Sequence, residues 1–541
     1  MVKKIQTLIL FSSALVIFLV TPTLRAQDEP KTPEKMVSVV PARFPKREAR
    51  YWKIETIPVP KGIVAEVTGI LPMDGDQIMV STRHGEVWTI AGASTADPKW
   101  SLFVDGLQEP LGLAQKFTDK NQSVSDGWIY ITQRGELSRM RDADKNGRAD
   151  RIETISDAWS ISGNYHEYCF GPVFDDDGNA WVTLNRAFGS QPFGAPAWRG
   201  WALKIAPDGS ITPIAAGLRS PCGIARSPSG EFFYSDNQGE WCPTNKLSVL
   251  EEGSWHGHPF GILDTFNPKS KVAYPVPTTD GSPDTLGAKR PMKGEEAPAD
   301  YPDGKRIIEA QKQMPTLVLP AVWFPYDKMG RSAGQFVWDT TNGKFGPFAD
   351  QIIISDQYSA CLMRVDLEKV GGQWQGACFP FRSGFDCGII RLAWDKDGSL
   401  LCGETNRGWA SLGEATQGLQ RMRWSGETPF EILRMRARPA GFRLEFTEPV
   451  DRATAMNPDS YRMSSYTYLL HAPYGSPEVD TEKLVVRPLS VSDDGRTVEL
   501  AVDGMRDGFV HELHADGIRS AKAEILLHAD AYYTLNARPV E

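Results

Sequence analysis

The chain of 541 residues is longer than a single hydrophobic core accommodates, so the sequence predicts two or three domains. Its 41% hydrophobic and 10% aromatic residues are typical of a globular protein, and 16 Trp, 49 Gly and 39 Pro favour short strands joined by turns over long helices. The formal net charge of −9 argues against a nucleic-acid-binding surface, and no nucleic-acid partner is expected.

Residues 1–26 have the pattern of a secretory signal peptide. Two lysines precede an apolar run over residues 8–20, and a cleavage site follows Ala26. The run is short for a membrane span, which makes an uncleaved anchor the weaker alternative. We therefore expect a periplasmic or extracellular protein with no transmembrane segment after cleavage. Residues 27–50, rich in Pro, Lys and Glu, are expected to form a flexible lead-in.

A two-strand sequence motif recurs six times along the chain. Each copy has a Gly- or Asp-bearing turn, a short strand, a polar break and a second strand. The copies begin at Asp74, Asp126, Asp177, Gly230, Asp350 and Asp397. Their number and spacing predict an all-β fold with a six-bladed β-propeller over residues 51–428. A pair of β-sandwiches is the alternative, although that fold does not account for so regular a repeat of the two-strand motif.

Two further regions of the sequence do not follow this two-strand motif. The interval over about residues 257–335, dense in Pro, Gly, Lys and Asp, is too long for a blade connection and predicts an insertion over one face. From residue 429 onward alternating strands such as 442–446 and 498–502 occur with Asp-Gly turns. This pattern predicts a separate immunoglobulin-like β-sandwich over residues 429–541.

Seven cysteines lie in the middle of the chain, and their number leaves at least one thiol unpaired. Disulfides are permitted in an exported protein. Cys222 and Cys242 flank the central turn and are the best candidate pair. Burial of all the cysteines as small core residues is an equally weighted alternative.

The turn over residues 217–225 and the strand after it form the most concentrated polar site of the sequence. The turn carries one cation, Arg219, and is followed by the aromatic strand 231–235. That strand ends in carboxylate and amide residues, Asp236, Asn237 and Gln238. We expect these groups to converge at one end of the propeller channel.

Residues 142–153 fill the whole pattern of a calcium-binding loop. The candidate ligands are the side chains of Asp142, Asp144, Asn146, Asp150 and Glu153 and the backbone carbonyl of Arg148. The flanks read as strand and loop rather than as paired helices. We therefore expect a structural calcium loop grafted onto the propeller, with a solvated Asp/Asn turn as the alternative.

His166 precedes the third blade's first strand, where a side chain can enter the channel. An imidazole titrates near working pH, so His166 is a candidate general base. A histidine that is merely hydrogen-bonded in a loop is the alternative. The sequence has no Cys-x-x-Cys-His haem attachment, no Gly-x-Ser-x-Gly elbow and no phosphate loop.

The sequence resembles the soluble glucose/sorbosone dehydrogenases. The features that carry this resemblance are the signal peptide, the six two-strand motifs, His166 and the Gly-x-Arg-x-Pro-x-Gly motif over residues 217–223. The resemblance covers about residues 55–425, and the added C-terminal part is similar to that of large secreted propeller proteins of planctomycete-type bacteria. It implies a six-bladed propeller that uses pyrroloquinoline quinone and calcium to oxidise sugars. It also implies that His166 takes the substrate hydroxyl proton, that Arg219 pairs with the quinone, and that the loop after Ser235 approaches the cofactor's calcium.

The chain departs from this family pattern at several positions. Ser220 and Cys222 stand where the family has Asn and Gln, and Arg186 stands where an acidic partner for the base is expected. Tyr358 lies near the place of a Lys, and a pair of arginines is reduced to Arg391. Fewer cations imply weaker binding of a trianionic quinone.

We expect an exported quinone-dependent dehydrogenase of a sugar or sugar alcohol, with an electron-acceptor protein as a candidate partner. One alternative is a non-catalytic propeller that binds carbohydrate or protein through exposed aromatic residues, for which Trp198, Trp201 and Trp241 are candidates. The other is a lactonase-like hydrolase with calcium held in the channel by side chains of several blades.

Overall fold

The computed structural model describes residues 43–117, 124–188, 196–276, 297–298, 300–408 and 410–540, with the backbone alone at 117 and 124–126. These residues belong to one compact unit. The predicted signal peptide and residues 27–42 of the predicted lead-in lie outside the described ranges. The rest of the lead-in is packed rather than flexible, because α1 (Pro45–Glu48) buries Glu48, whose carboxylate accepts hydrogen bonds of 2.7 Å from the backbone N–H and the hydroxyl of Ser383.

The fold is an all-β propeller, with 45% of the chain in strands and 5% in helices. Five four-stranded antiparallel sheets stand as separate blades. The first two comprise β2 (Val67–Pro72), β3 (Gln77–Thr82), β4 (Val87–Ala91) and β5 (Lys99–Val104), then β6 (Leu113–Phe117), β7 (Val124–Thr132), β8 (Leu137–Arg141) and β9 (Arg151–Ser156). The next two comprise β10 (Cys169–Phe174), β11 (Ala180–Leu184), β12 (Trp201–Ile205) and β13 (Ile211–Ala216), then β14 (Pro221–Arg226), β15 (Phe232–Asp236), β16 (Asn245–Leu250) and β18 (Val322–Phe324).

The last separate blade joins the two ends of the propeller region. It comprises β23 (Ile389–Trp394), β24 (Leu400–Thr405), β25 (Gln417–Trp424) and, as its outer strand, β1 (Trp52–Thr56). β1 pairs antiparallel with β25, placing Trp52 opposite Trp424. The N-terminal strand therefore completes a sheet whose other strands come from residues 389–424.

The predicted fifth repeat is not a self-contained blade. Its strands are β19 (Ala333–Trp338), β20 (Ile352–Asp356), β21 (Cys361–Val370) and β22 (Gln373–Ser383). They form one end of an eleven-stranded sheet with the C-terminal strands β26 (Ile432–Arg438), β27 (Gly441–Phe446), β28 (Arg462–Thr467), β30 (Val479–Val491), β31 (Thr497–Asp503), β32 (Phe509–His514) and β33 (Asp530–Leu535). In the described part of the chain the separate blades thus number five rather than the predicted six, because the free edge of β22 pairs with β33, with Gly376 opposite Thr534.

The immunoglobulin-like sandwich predicted for residues 429–541 is likewise not seen as a separate unit. Its strands continue the β22 edge, and its hydrophobic core includes Ala377 and Phe379 of β22 beside Phe442 and Tyr533. The helical segments in this part of the described chain are short: α3 (Arg452–Ala455) and a 3₁₀ turn (Pro458–Ser460). The boundary that the sequence pattern suggested therefore falls inside a shared sheet and a shared core.

Blade strands are apolar at successive positions because both faces of a blade are covered. In β3, Ile78 and Val80 pack with residues of the last blade such as Leu401, whereas Met79 packs on the other face with Ile129 of the second blade. A strand buried on both faces reads as a continuous apolar run rather than as an alternation. This packing explains the runs that marked the repeats in the sequence.

The first strands of successive repeats contact one another in the order β2, β6, β10, β14, β19 and β23, and β23 returns to β2. Glycines make this close approach possible. A Cβ at Gly112, just before β6, would lie 1.8 Å from the carbonyl oxygen of Gly171 in β10. A Cβ at Gly223 in β14 would lie 2.5 Å from the carbonyl oxygen of Gly334 in β19.

The predicted insertion over about residues 257–335 is partly structural. Its described part contains a 3₁₀ turn (Ile262–Phe266), β17 (Lys305–Arg306), α2 (Ile307–Gln313) and β18, which is the fourth strand of a blade. β17 pairs with β29 (Leu469–Leu470) of the C-terminal part. Residues 277–296 lie outside the described ranges. Among the described residues no helix is long and apolar enough to cross a membrane.

All seven cysteines are free thiols, and all except Cys222 are buried. The suggested pair of Cys222 and Cys242 is therefore wrong, and the alternative of burial in the core is correct for Cys242 and the other buried cysteines but not for Cys222, which is only partly buried. Burial raises the pKa of the Cys242 thiol to about 12, so this thiol stays protonated at neutral pH.

Candidate functional site

A cavity of about 470 Å³ opens at one end of the propeller, among the loops that precede the first strands and follow the second strands. It combines the sequence-predicted residues His166, Arg219, Asn237 and Gln238. The C-terminal part contributes Tyr474, whose loop is held to the cavity by hydrogen bonds from Trp241 N to His471 O (2.9 Å) and from Gly475 N to Gly239 O (3.1 Å).

His166 is buried at the wall of this cavity, between β9 and β10. Its Nδ1 lies 3.0 Å from the carbonyl oxygen of Arg186, which accepts but cannot donate. The proton therefore resides on Nδ1, and Nε2 presents its lone pair to the hydroxyl of Ser220 at 3.0 Å. The ring of Phe188 stacks on the imidazole with centroids 3.3 Å apart.

Burial lowers the pKa of His166 well below its ordinary value, and the nearby cations of Arg219, Arg186 and Arg199 lower it further. The imidazole is therefore neutral at neutral pH, and its Nε2 lone pair accepts the hydrogen bond of the Ser220 hydroxyl. The sequence has Arg186 at the position where an acidic partner for the base is expected. The backbone carbonyl of Arg186 replaces that partner, because it orients the imidazole through Nδ1.

The guanidinium of Arg219 is already paired within the protein. Its Nη2 lies 2.9 Å from Oε2 of Glu240, and Nη2 of Arg186 reaches the same oxygen at 2.5 Å. Burial raises the pKa of Glu240, but the two guanidinium groups outweigh it and hold that pKa below its usual value. Tyr474 covers Arg219, with its ring centroid 5.2 Å from the guanidinium carbon.

Asp236, predicted to bind a cofactor, does not line the cavity. Its buried carboxylate accepts backbone N–H bonds from Arg219 (3.0 Å), Ser220 (2.6 Å) and Asn237 (3.0 Å). It therefore fixes the turn that carries Arg219 and Ser220. Asn237 and Gln238 do line the cavity, although their amides donate to the carbonyls of Ser220 and Pro243 at 3.0 and 3.1 Å.

Three further arginines line the cavity that the sequence analysis missed: Arg83, Arg331 and Arg407. Arg83 pairs with Glu109 and donates to the hydroxyl of Tyr168 at 3.1 Å. Arg331 pairs with Asp327 and stacks on Tyr358 at 4.4 Å. The guanidinium of Arg407 is exposed and makes no hydrogen bond or ion pair to a described residue. The cavity is thus more cationic than the sequence suggested.

A repeated signal in the sequence locates two of these cations, Arg83 and Arg407. An amide residue followed by a second polar or aromatic residue comes directly after the second strand of five repeats: Gln133-Arg134, Asn185-Arg186, Asn237-Gln238, Gln357-Tyr358 and Asn406-Arg407. In the first repeat Arg83 follows β3 directly. This register would have predicted Arg83 and Arg407 but not Arg331, which lies just before β19, and it also marks Arg134, which does not line the cavity.

Arg391, the remnant of the expected arginine pair, lies beneath the cavity. It donates to the carbonyls of Thr68 (2.8 Å), Cys222 (2.9 Å) and Leu111 (3.1 Å), which belong to three different repeats. These bonds tie the inner strands together. Arg391 is consequently a structural residue rather than a ligand for a cofactor.

The predicted calcium loop connects β8 and β9, at the end of the blade away from the cavity. Asp142 accepts backbone N–H bonds from Asn146 (3.1 Å) and Gly147 (2.8 Å), and Asp150 accepts one from Ala143 (2.8 Å). Glu153, the last position of the pattern, lies in β9 and pairs with Arg139 at 2.7 Å.

The remaining loop positions, Asp144, Asn146 and Arg148, are exposed. The described residues contain no group of three or more His, Cys, Asp or Glu side chains arranged to hold a metal ion. Calcium binding by residues 142–153 therefore stays a prediction.

Trp198, Trp201 and Trp241, the candidate exposed aromatics, are buried at 4%, 0% and 2% exposure. The exposed aromatic residues at the cavity are instead Tyr165 and Tyr474, at 60% and 54%. The positions proposed for an aromatic binding face are therefore wrong, because these tryptophans fill the core.

No family model and no curated protein matches the chain. Among solved structures it is similar to a putative glucose-dehydrogenase-type oxidoreductase from Thermus thermophilus, at 16% identity and a TM-score of 0.45 over 69% of this chain and 99% of that one. It is also similar to a PQQ-bound aldose sugar dehydrogenase from Streptomyces coelicolor, at 14% identity and a TM-score of 0.43 over 69% and 98%. A third similar structure is a Trichoderma reesei carbohydrate-active enzyme of family AA12, at 14% identity and a TM-score of 0.45 over 71% of this chain and 98% of that one.

These structures include the class of protein that the sequence resemblance indicated, the soluble aldose sugar and glucose dehydrogenases. With identities of 16% or less and TM-scores below 0.5, the comparison carries no argument about activity.

Proposed function

We propose that this protein is an exported, quinone-dependent dehydrogenase of a sugar or sugar alcohol. The observation that carries the proposal is a buried, neutral imidazole whose Nε2 lone pair borders a cavity lined by five arginines. The arginines suit an anionic cofactor, and the imidazole suits removal of a proton from a substrate hydroxyl.

In this proposal His166 accepts the proton of the substrate hydroxyl on Nε2. The carbonyl of Arg186 keeps the other proton on Nδ1, so the ring cannot present the wrong tautomer. The low pKa keeps the base unprotonated in mildly acidic surroundings. The substrate hydroxyl takes the place beside Nε2 that Ser220 now occupies.

Pyrroloquinoline quinone fits the cavity by charge. Its carboxylates would be held first by Arg407, which has no partner among the described residues, whereas Arg83 and Arg331 already pair with Glu109 and Asp327. Arg219 and Arg186 share the one carboxylate of Glu240, which leaves one of their two charges for the quinone. When bound, the quinone supplies hydride-accepting chemistry, and the arginines orient it.

We also propose a six-bladed architecture. We count β19–β22 as a sixth blade, since β19 contacts β14 on one side and β23 on the other. The strands from β26 onward are proposed to derive from an immunoglobulin-like module fused to that blade. The protein is proposed to be exported to the periplasm or beyond, and the loop over residues 142–153 to bind calcium for structural purposes.

The alternative of a calcium-dependent lactonase is weakened by the charges in the cavity. Glu240 is the one carboxylate among the described residues that line it, and two arginines already hold that carboxylate. A calcium ion prefers several uncommitted oxygen ligands. The alternative of a binding module predicts carbohydrate or protein binding without turnover.

The test is reduction of an artificial electron acceptor by quinone-loaded protein over a panel of sugars and sugar alcohols. Removing a general base costs roughly 100-fold or more in kcat, so His166→Gln should lose that factor. His84→Gln is the matched control, because His84 is partly exposed and lies 3.5 Å from Glu66 rather than at the cavity. Turnover that survives in His166→Gln would contradict the assigned base.

A further inference from the structure

Ser220 and His166 form a hydrogen-bonded pair, of which the proposed dehydrogenase uses only the imidazole. The Oγ of Ser220 lies 3.0 Å from Nε2 of His166, and the residue lines the cavity. The opposite ring nitrogen, Nδ1, is bonded to the carbonyl of Arg186. A hydroxyl, an imidazole whose lone pair faces it, and a third group that orients the imidazole are the arrangement that activates a serine nucleophile.

The position of Ser220 is fixed by its own backbone. Its N–H donates to Oδ1 of Asp236 at 2.6 Å, and its carbonyl accepts a bond of 3.0 Å from the amide of Asn237. The start of β14 at Pro221 follows directly. The hydroxyl is therefore held at the cavity wall by the buried carboxylate that also holds Arg219.

A donor for a developing oxyanion lies beside the pair. The Nδ2 of Asn185 is 3.5 Å from both Ser220 Oγ and His166 Nε2. Asn185 also lines the cavity and is otherwise buried. A side-chain amide at this place can donate to an acyl oxygen as it gains charge.

We propose that Ser220 is the nucleophile of an acyl-transfer reaction on an ester or lactone that carries a carboxylate. Its Oγ bonds to the acyl carbon as its proton moves to Nε2 of His166. The bond from the acyl carbon to the leaving oxygen then breaks, and that oxygen takes the proton from Nε2. Water repeats the sequence, which releases the acid and restores Ser220, so no oxidant or metal takes part.

The charges around the pair define the substrate class. Protonation of His166 during the reaction places a third cation beside Arg186 and Arg219, which share the single carboxylate of Glu240. A carboxylate on the substrate offsets this excess of positive charge, whereas a neutral ester leaves it unbalanced. Anionic esters should therefore react faster than neutral esters of the same leaving group.

The first experiment is labelling of the purified full-length protein with an alkyl fluorophosphonate, read by intact mass and peptide mapping. We expect one adduct, on Ser220, with none in Ser220→Ala and labelling at least about 100-fold slower in His166→Gln. Ser210→Ala is the matched control, because Ser210 is exposed and its hydroxyl donates to Asp208 at 2.7 Å without an imidazole. No adduct, an adduct elsewhere, or equal labelling in His166→Gln overturns the proposal.

The second experiment compares hydrolysis of a 4-nitrophenyl hemiester of glutarate with that of 4-nitrophenyl acetate. Turnover of the anionic ester should exceed that of the neutral one and fall about 1000-fold in Ser220→Ala. Ser220→Cys retains a nucleophile and should form a thioester of the same acyl group, which separates loss of the nucleophile from loss of folding. A preference for the neutral ester overturns the substrate class. Quinone binding is measured separately, so either proposal can fail without the other.

Discussion

Replacing Glu240 by Gln tests the charge balance of the cavity most sharply. The carboxylate of Glu240 bridges Arg186 and Arg219, whose side chains are only 1% and 5% exposed. Removing one member of a buried ionic group leaves the others uncompensated, which costs about 3–5 kcal/mol. Because the Glu240 side chain is 23% exposed, water screens part of this cost, and we expect a loss near the lower limit, about 3 kcal/mol.

The assay is equilibrium unfolding in urea at pH 7. For a dependence of about 3 kcal/mol per molar urea, the expected loss lowers the unfolding midpoint by about 1 M. Glu427→Gln is the matched control, since Glu427 pairs with Arg50 at the surface and should cost about 1 kcal/mol or less. An equal, small effect of the two substitutions would refute the reasoning.

The difference in unfolding free energy between wild type and Glu240→Gln should depend on pH, which provides a second check. The folded-state pKa of Glu240 lies below its unfolded value of about 4.5, so its contribution is fully present above that value. The contribution is lost as pH falls through the lower, folded-state pKa. The stability difference between wild type and Glu240→Gln should therefore shrink below about pH 4.5. A difference that stays constant in acid would exclude the ionic origin.

Three other outcomes follow from the structure. Gly112→Ala should destabilise the protein by about 3 kcal/mol because its Cβ would meet the carbonyl oxygen of Gly171 at 1.8 Å, whereas Gly135→Ala, whose Cβ would have its nearest neighbour at 3.9 Å, should be nearly neutral in urea unfolding. Asp530 and Glu512 raise the pKa of His514 from 6.5 to about 9. His514 should therefore contribute roughly 3 kcal/mol to the free energy of unfolding below pH 6.5, and this contribution should be lost as pH rises through 9. His514→Gln should flatten that part of the profile of stability against pH. Added calcium should raise the Tm of chelator-treated protein, Asp142→Asn should abolish the increase, and Asp157→Asn should keep it; equal responses of the two variants would exclude residues 142–153 as the calcium site.

The repeated hairpins were predictable from the sequence because each blade buries both faces of its strands. Apolar runs such as residues 78–80 therefore stand out between polar turns. The fusion of the fifth repeat to the C-terminal strands was not predictable, because the pairing of β22 with β33 joins residues 376–378 to the distant residues 532–534 and adds no new local pattern. The same long-range pairing hides the boundary predicted at residue 429.

The candidate site was predicted only in part for a similar reason. His166, Arg219, Asn237 and Gln238 lie in or beside recognisable turns, and all four line the cavity. Asp236 was assigned to a cofactor, yet the backbone N–H groups of its own turn occupy its carboxylate. Arg83 and Arg407 follow second strands and share a local signal, but their convergence with Arg331 depends on closure of the propeller rather than on local sequence.

The proposed function is tested most directly by calorimetric titration of chelator-treated protein with pyrroloquinoline quinone, with and without calcium. We expect saturable binding of one quinone per chain that Arg407→Ala weakens roughly 10–150-fold, as loss of one charge-assisted contact does. Arg487→Ala, which removes an exposed arginine paired with Asp503, should leave the affinity unchanged. Absence of quinone binding under both conditions, or equal affinities of the two variants, would contradict the account of this cavity as a quinone site.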